Sequence, residues 1–157
     1  DFATQASSFL SPQMFRELIK PYLKERIAYT KKYTDAAFLH HSCGNVFALI
    51  PELIEAGVEI LNPIQPVSLE MAPSNLKSSY GNQICFHGGL DTQKVLLYND
   101  KNLIRDEVEN LIHALAPNGG YIFAAAHNIQ EDVNPKNVVY AFQTARNCKL
   151  PKNITLI

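Results

Sequence analysis

Cysteine is scarce in this chain: Cys43, Cys85 and Cys148 are the only three among 157 residues. An odd, sparse set argues against a disulfide framework and leads us to expect a reducing, cytoplasmic setting. An excess of charge of either sign is also missing. Lysine and arginine number 14 against 15 acidic residues, and no basic stripe or block occurs. A nucleic-acid partner therefore has no electrostatic support. No apolar run approaches the roughly 18 residues expected of a membrane span, and no signal-peptide pattern is expected at the start. The opening DFATQASSF carries no methionine, as in a fragment or a processed product. What is present is a chain 46% hydrophobic and 18% charged, a globular composition long enough for one domain with a core.

The apolar pattern alternates between two periods. SPQMFRELIKPYLKERIAYTKKY reads as a helix with Ser11 as N-cap and Pro12 at its first position, which Pro21 kinks or divides. AAFLHHSC, residues 36–43, reads as a strand ending before Gly44. NVFALIPELIEAG is a helical stretch with Asn45 as cap, Pro51 as an interruption and Gly57 as its stop. The strand VEILNPIQ and the helix LEMAPSNLKSSYG follow, then QICFHGGLD, a strand broken at Gly88-Gly89. NDKNLIRDEVENLIHALAPNGG is amphipathic, with Leu103, Ile104, Val108, Leu111, Ile112 and Leu115 on one face. GYIFAAAHN is a fourth strand, and NPKNVVYAFQTARN is a last helix capped by Asn134. Residues 1–147 form the folded unit, and 148–157 are a tail, an extra strand or disordered. Strands alternating with helices predict an α/β fold with parallel pairing, either a doubly wound sheet or part of a (β/α)8 barrel. No GxGxxG follows the first strand, which weakens the dinucleotide-binding version.

In such folds sites collect at the carboxyl ends of strands. The polar residues at those ends are His41 and Cys43, Asn62 and Gln65, His87 and Asp91, and His127 and Asn128. Asp1 and Gln5 would follow a preceding strand in the same way. Residues i and i+2 of an extended strand share a face, so His41 and Cys43 can present a nitrogen and a sulfur to one ion. Zinc accepts such donors tetrahedrally, and catalytic sites keep one position open. A third ligand is then needed, and His127 is the first choice. Packing at a strand end and a cysteine nucleophile paired with histidine remain open readings of the same residues. His87 divides between the site and strand packing, and Asp91 between the site and capping of the turn at DTQ. His40 has the other face of its strand, and Cys85 reads as a buried thiol.

Taken together, SPQMFRELIKPYLK, FLHHSCGNVFALIPELIEAGVEILNPIQ, GGLDTQ and APNGGYIFAAAHNIQEDVNPKNVVYAF resemble the uroporphyrinogen decarboxylase superfamily, from Asp1 to about Arg146. That superfamily includes the decarboxylases and cobalamin-linked thiol methyltransferases. The resemblance implies the C-terminal half of a (β/α)8 barrel, with these strands as the fifth to eighth. In the methyltransferases a His-x-Cys pair and a later cysteine bind zinc. His41 and Cys43 match the pair, and the later position falls at His127. The implied activity is zinc-dependent transfer of a methyl group from a corrinoid, carried by a separate protein, to a small-molecule thiol. His127 and Asp91 are then the catalytic candidates, with Asp1, Gln5, Asn62, Gln65 and His87 against substrate. The alternatives are a cofactor-free porphyrinogen decarboxylase, whose last-strand histidine would be His127, and an inactive half barrel. A half barrel has two open edges, which would take a second copy or the missing half.

Overall fold

The structure, a computed structural model, describes residues 1–150. Its first helix, α1 (Pro12–Leu18), starts where the Ser11 side chain accepts the Met14 N–H. After Ile19 the chain re-enters a helix, α2 (Lys20–Thr30), with Pro21 in its first turn. Pro21 thus divides the segment as its missing N–H requires. Strand β1 (Leu39–His41) is shorter than the expected 36–43. Beyond it the Asn45 side chain accepts the Phe47 N–H at the start of a single 3-10 turn, Phe47–Leu49, whose N-cap is Val46 rather than the expected Asn45. Helix α3 (Ile50–Ala56) continues from that turn. Pro51 does not interrupt it. Proline lies in the first turn, where its missing donor has no intrahelical role. Gly57, at φ 99°, ends the helix in the left-handed region.

Strand β2 (Ile60–Ile64) runs across Pro63, and its register against the next strand shifts between Leu61 and Ile64. A residue without a backbone donor fits at such an irregularity. Helix α4 (Pro73–Tyr80) leads to β3 (Cys85–Leu90). Gly88 and Gly89 do not break β3; the strand continues through both at positive φ. A Cβ at Gly89 would lie 2.9 Å from Leu111 Cδ2, so helix and strand approach closely there. Helix α5 (Lys101–Leu115) is capped by Asp100 and buries Ile104, Val108, Leu111, Ile112 and Leu115, while Leu103 is exposed. Strand β4 (Tyr121–Ala125) and helix α6 (Pro135–Asn147), capped by Asn134, complete the order. Part of the expected tail, residues 151–157, lies outside the described residues.

The four strands form one parallel sheet in sequence order, β1-β2-β3-β4. Phe86 at its centre is fully buried with Leu61, Leu53, Leu49 and Phe15, each worth about 1.5–3 kcal/mol of apolar transfer. Among the described residues β1 and β4 each pair on one side only. Outside the core, Glu52 of α3 is 3% exposed and its carboxylate takes Arg16 on one oxygen and Lys20 on the other, at 2.6 Å. Those two donors hold its pKa at about 2, against 4.5 for an ordinary glutamate. No helix among the described residues is long and apolar enough to cross a membrane.

Candidate metal centre

The carboxyl end of β1 carries the feature first marked by sequence. The Cys43 Sγ lies 3.5 Å from His41 Nε2. Tetrahedral zinc would separate such an N and S by about 3.5 Å, given bonds near 2.0 and 2.3 Å. Asp1 completes the group. Its Oδ1 accepts the Cys43 N–H at 2.9 Å and lies 3.7 Å from His41 Nε2. The three donor atoms fall within 4.8 Å of one another. One nitrogen, one sulfur and one carboxylate oxygen are all donors that zinc accepts, and three leave a fourth position open. The residues present therefore fit zinc.

Asp1 reaches the site because its segment is anchored at several points. The Phe2 N–H donates to the fully buried Ser42 Oγ at 2.8 Å, and Asn45 N donates to Thr4 O at 2.8 Å. Phe2 stacks on His40 with ring centres 5.2 Å apart and meets Phe15 edge-on. His40, on the opposite face of β1, is buried, and its Nε2 has no hydrogen-bond partner. Burial, with Arg26 nearby, lowers its pKa to about 4 and keeps the ring neutral near pH 7.

Asn62, paired with His41 across β1 and β2, joins two histidines. Its Oδ1 lies 2.7 Å from His41 Nδ1, and its Nδ2 lies 2.6 Å from His87 Nδ1. A partner on the far nitrogen orients a ligating histidine.

Beside this group lies a cleft of about 280 Å3, lined by Gln5, Gln65, Asp91, Lys94 and His127 among others. Gln65 connects cleft and centre, because its Oε1 accepts the Gly44 N–H at 2.7 Å. Asp91 Oδ1 accepts the N–H groups of Gln93 and Lys94, so that oxygen closes the turn after β3. His127 lines the cleft and is not in the trio with His41 and Cys43. The two histidines follow opposite edges of the sheet, with β2 and β3 between them. The third donor grouped with His41 and Cys43 is Asp1. Sequence reasoning missed Ser42 and Lys94. Ser42 could have been found by alternation, which turns it away from His41 and Cys43 toward the interior. Cys85, expected to be buried, is half-buried, and that burial raises its thiol pKa.

Parallel strands alternating with helices, and polar side chains gathered at the strand ends, place the chain in the α/β-barrel class. It belongs to the uroporphyrinogen decarboxylase (URO-D) family, whose family model matches residues 2–148. A uroporphyrinogen decarboxylase of Xanthomonas axonopodis is 32% identical over 147 residues, covering 86% of this chain and 39% of the relative. One from Trichodesmium erythraeum is 27% identical over 138 residues, covering 87% and 37%. The chain thus spans less than two fifths of the length of these curated relatives. Among solved structures, a methyltransferase from Methanosarcina mazei superposes with a TM-score of 0.68 at 19% identity, over 87% of this chain and 37% of its own. That likeness shows the fold, part of a (β/α)8 barrel.

Proposed function

We propose that this chain forms the metal-binding part of a zinc-dependent, methyltransferase-like member of the family, acting from a corrinoid to a thiol. The observation that carries the reading is the Asp1–His41–Cys43 trio, whose donor atoms lie within 4.8 Å of one another. His41 Nε2, Cys43 Sγ and one Asp1 carboxylate oxygen would hold the ion. Bound there, zinc would supply Lewis-acid activation of a substrate thiol. The chain's own residues do the placing. Asn62 orients His41, and the Cys43 N–H holds Asp1. The cleft receives the small-molecule substrate, with Gln5, Gln65 and His127 along its wall. The corrinoid would arrive on a separate protein. The open edges of β1 and β4 would pair with the rest of the barrel, consistent with the share of the relatives that the chain spans.

A second reading is favoured by the relatives' name. In a cofactor-free decarboxylase His127 and Asp91 would face a porphyrinogen in the cleft, and His41 and Cys43 would only pack. One paired assay separates the readings. Methylation of a small thiol by methylcobalamin that stops with chelator and in Cys43→Ser supports the first. Release of carbon dioxide from uroporphyrinogen, indifferent to chelator and to Cys43→Ser, supports the second.

A further inference from the structure

Asn62 holds two imidazoles by the same kind of atom. His41 offers Nδ1 to its Oδ1 at 2.7 Å, and His87 offers Nδ1 to its Nδ2 at 2.6 Å. An amide oxygen only accepts and an amide nitrogen only donates. A ring nitrogen facing the oxygen must therefore carry a proton, and one facing the NH2 must be bare. While both bonds hold, the two neutral rings are in opposite tautomers. His41 has its proton on Nδ1, which leaves a lone pair on Nε2. His87 has a bare Nδ1 and its proton on Nε2. The free nitrogen of His41 is the atom 3.5 Å from Cys43 Sγ and 3.7 Å from Asp1 Oδ1.

We propose that Asn62 is a positioning residue: its two-ended amide fixes His41 as the Nδ1–H tautomer, ready to ligate through Nε2, and His87 as the Nε2–H tautomer, a hydrogen-bond donor. The backbone supports this. Asn62 pairs with His41 across the parallel strands, and its carbonyl accepts the Ser42 N–H at 2.7 Å. Turning the amide over would exchange both tautomers together and put a proton on the nitrogen that faces Cys43. A metal at Nε2 therefore selects one orientation of Asn62 and, through it, the state of His87, which does not touch the metal-binding trio. Only this ligation step rests on the zinc reading; the tautomer assignment stands without it.

The test is long-range 15N–1H correlation of the histidines in the metal-free chain at about pH 8.5, above the ordinary imidazole range. The expected spectrum shows Nδ1–H for His41 and Nε2–H for His87. The reversed pair, or the same tautomer in both rings, overturns the proposal. Asn62→Asp keeps an acceptor for His41 but none of the donors for His87. It should retain zinc binding and move the His87 proton to Nδ1. Asn62→Ala releases both rings, and zinc affinity should fall by about 10–100-fold, the usual loss when the partner of a ligating histidine is removed. Unchanged affinity in Asn62→Ala, or an unmoved His87 proton in Asn62→Asp, overturns the proposal. A chain that binds no zinc yet shows the two opposite tautomers supports the assignment and rejects the zinc reading.

Discussion

Gly44 and Thr4 touch through their backbones: a Cβ at Gly44 would collide with the Thr4 carbonyl oxygen. Gly44 is also at φ 87°, a conformation that side chains rarely adopt. The N-terminal segment lies against this glycine, one of the contacts that bring Asp1 to His41 and Cys43. Gly44→Ala should lift residues 1–4 away from the site. We expect zinc affinity to drop by at least about tenfold, as when a supporting contact of a metal site is lost. Isothermal titration of both chains measures this.

Asp1 itself should matter for affinity more than for the sulfur bond. In a cobalt-loaded chain, Asp1→Ala should weaken binding yet keep the thiolate-to-cobalt absorption, because Cys43 remains. Cys43→Ser should abolish that absorption. Loss of the band in Asp1→Ala alone would mean that the carboxylate holds the cysteine in place rather than sharing the ion.

Glu52 makes stability depend on acid. Its folded pKa of about 2 lies below the ordinary 4.5, so folding favours the ionised form. That stabilisation is complete above about pH 4.5 and is lost as pH falls through about 2. Urea midpoints of the wild type should therefore fall between those limits. Glu52→Gln should be less stable at neutral pH, with Arg16 and Lys20 deprived of their partner, and its midpoints should fall less steeply over the same range.

Packing predicts a strong contrast between two apolar residues. Phe86→Ala empties the centre of the sheet, where the ring is fully buried, and should cost about 3–5 kcal/mol. Leu69 is 91% exposed, and Leu69→Ala should stay within about 0.5 kcal/mol. Chemical denaturation of the two variants gives both values.

Much of the fold was legible because it is local. Ser11, Asn134 and Gly57 sit where helix ends need them, and the apolar stripe from Ile104 to Leu115 faces the core. Prolines and glycines were harder to read. Pro51 opens its helix instead of interrupting it, and β3 passes through Gly88 and Gly89. The first outcome depends on where the helix starts, the second on what packs nearby, such as Leu111 against Gly89. At the site, His41 and Cys43 were visible from an i, i+2 spacing. The approach of Asp1 was not, because it rests on Phe2 stacking against His40 and bonding to Ser42 across about forty residues of chain. No periodicity encodes such a contact. The bond of Asn62 to both histidines is equally non-local, joining three strands.

The most direct measurement is the zinc content of the purified chain beside Cys43→Ser, after dialysis against limiting metal. The trio predicts about one zinc per chain, as expected for a single site, and its loss in the variant. A wild-type chain that takes up no zinc, or a Cys43→Ser chain that keeps all of it, would contradict the metal centre.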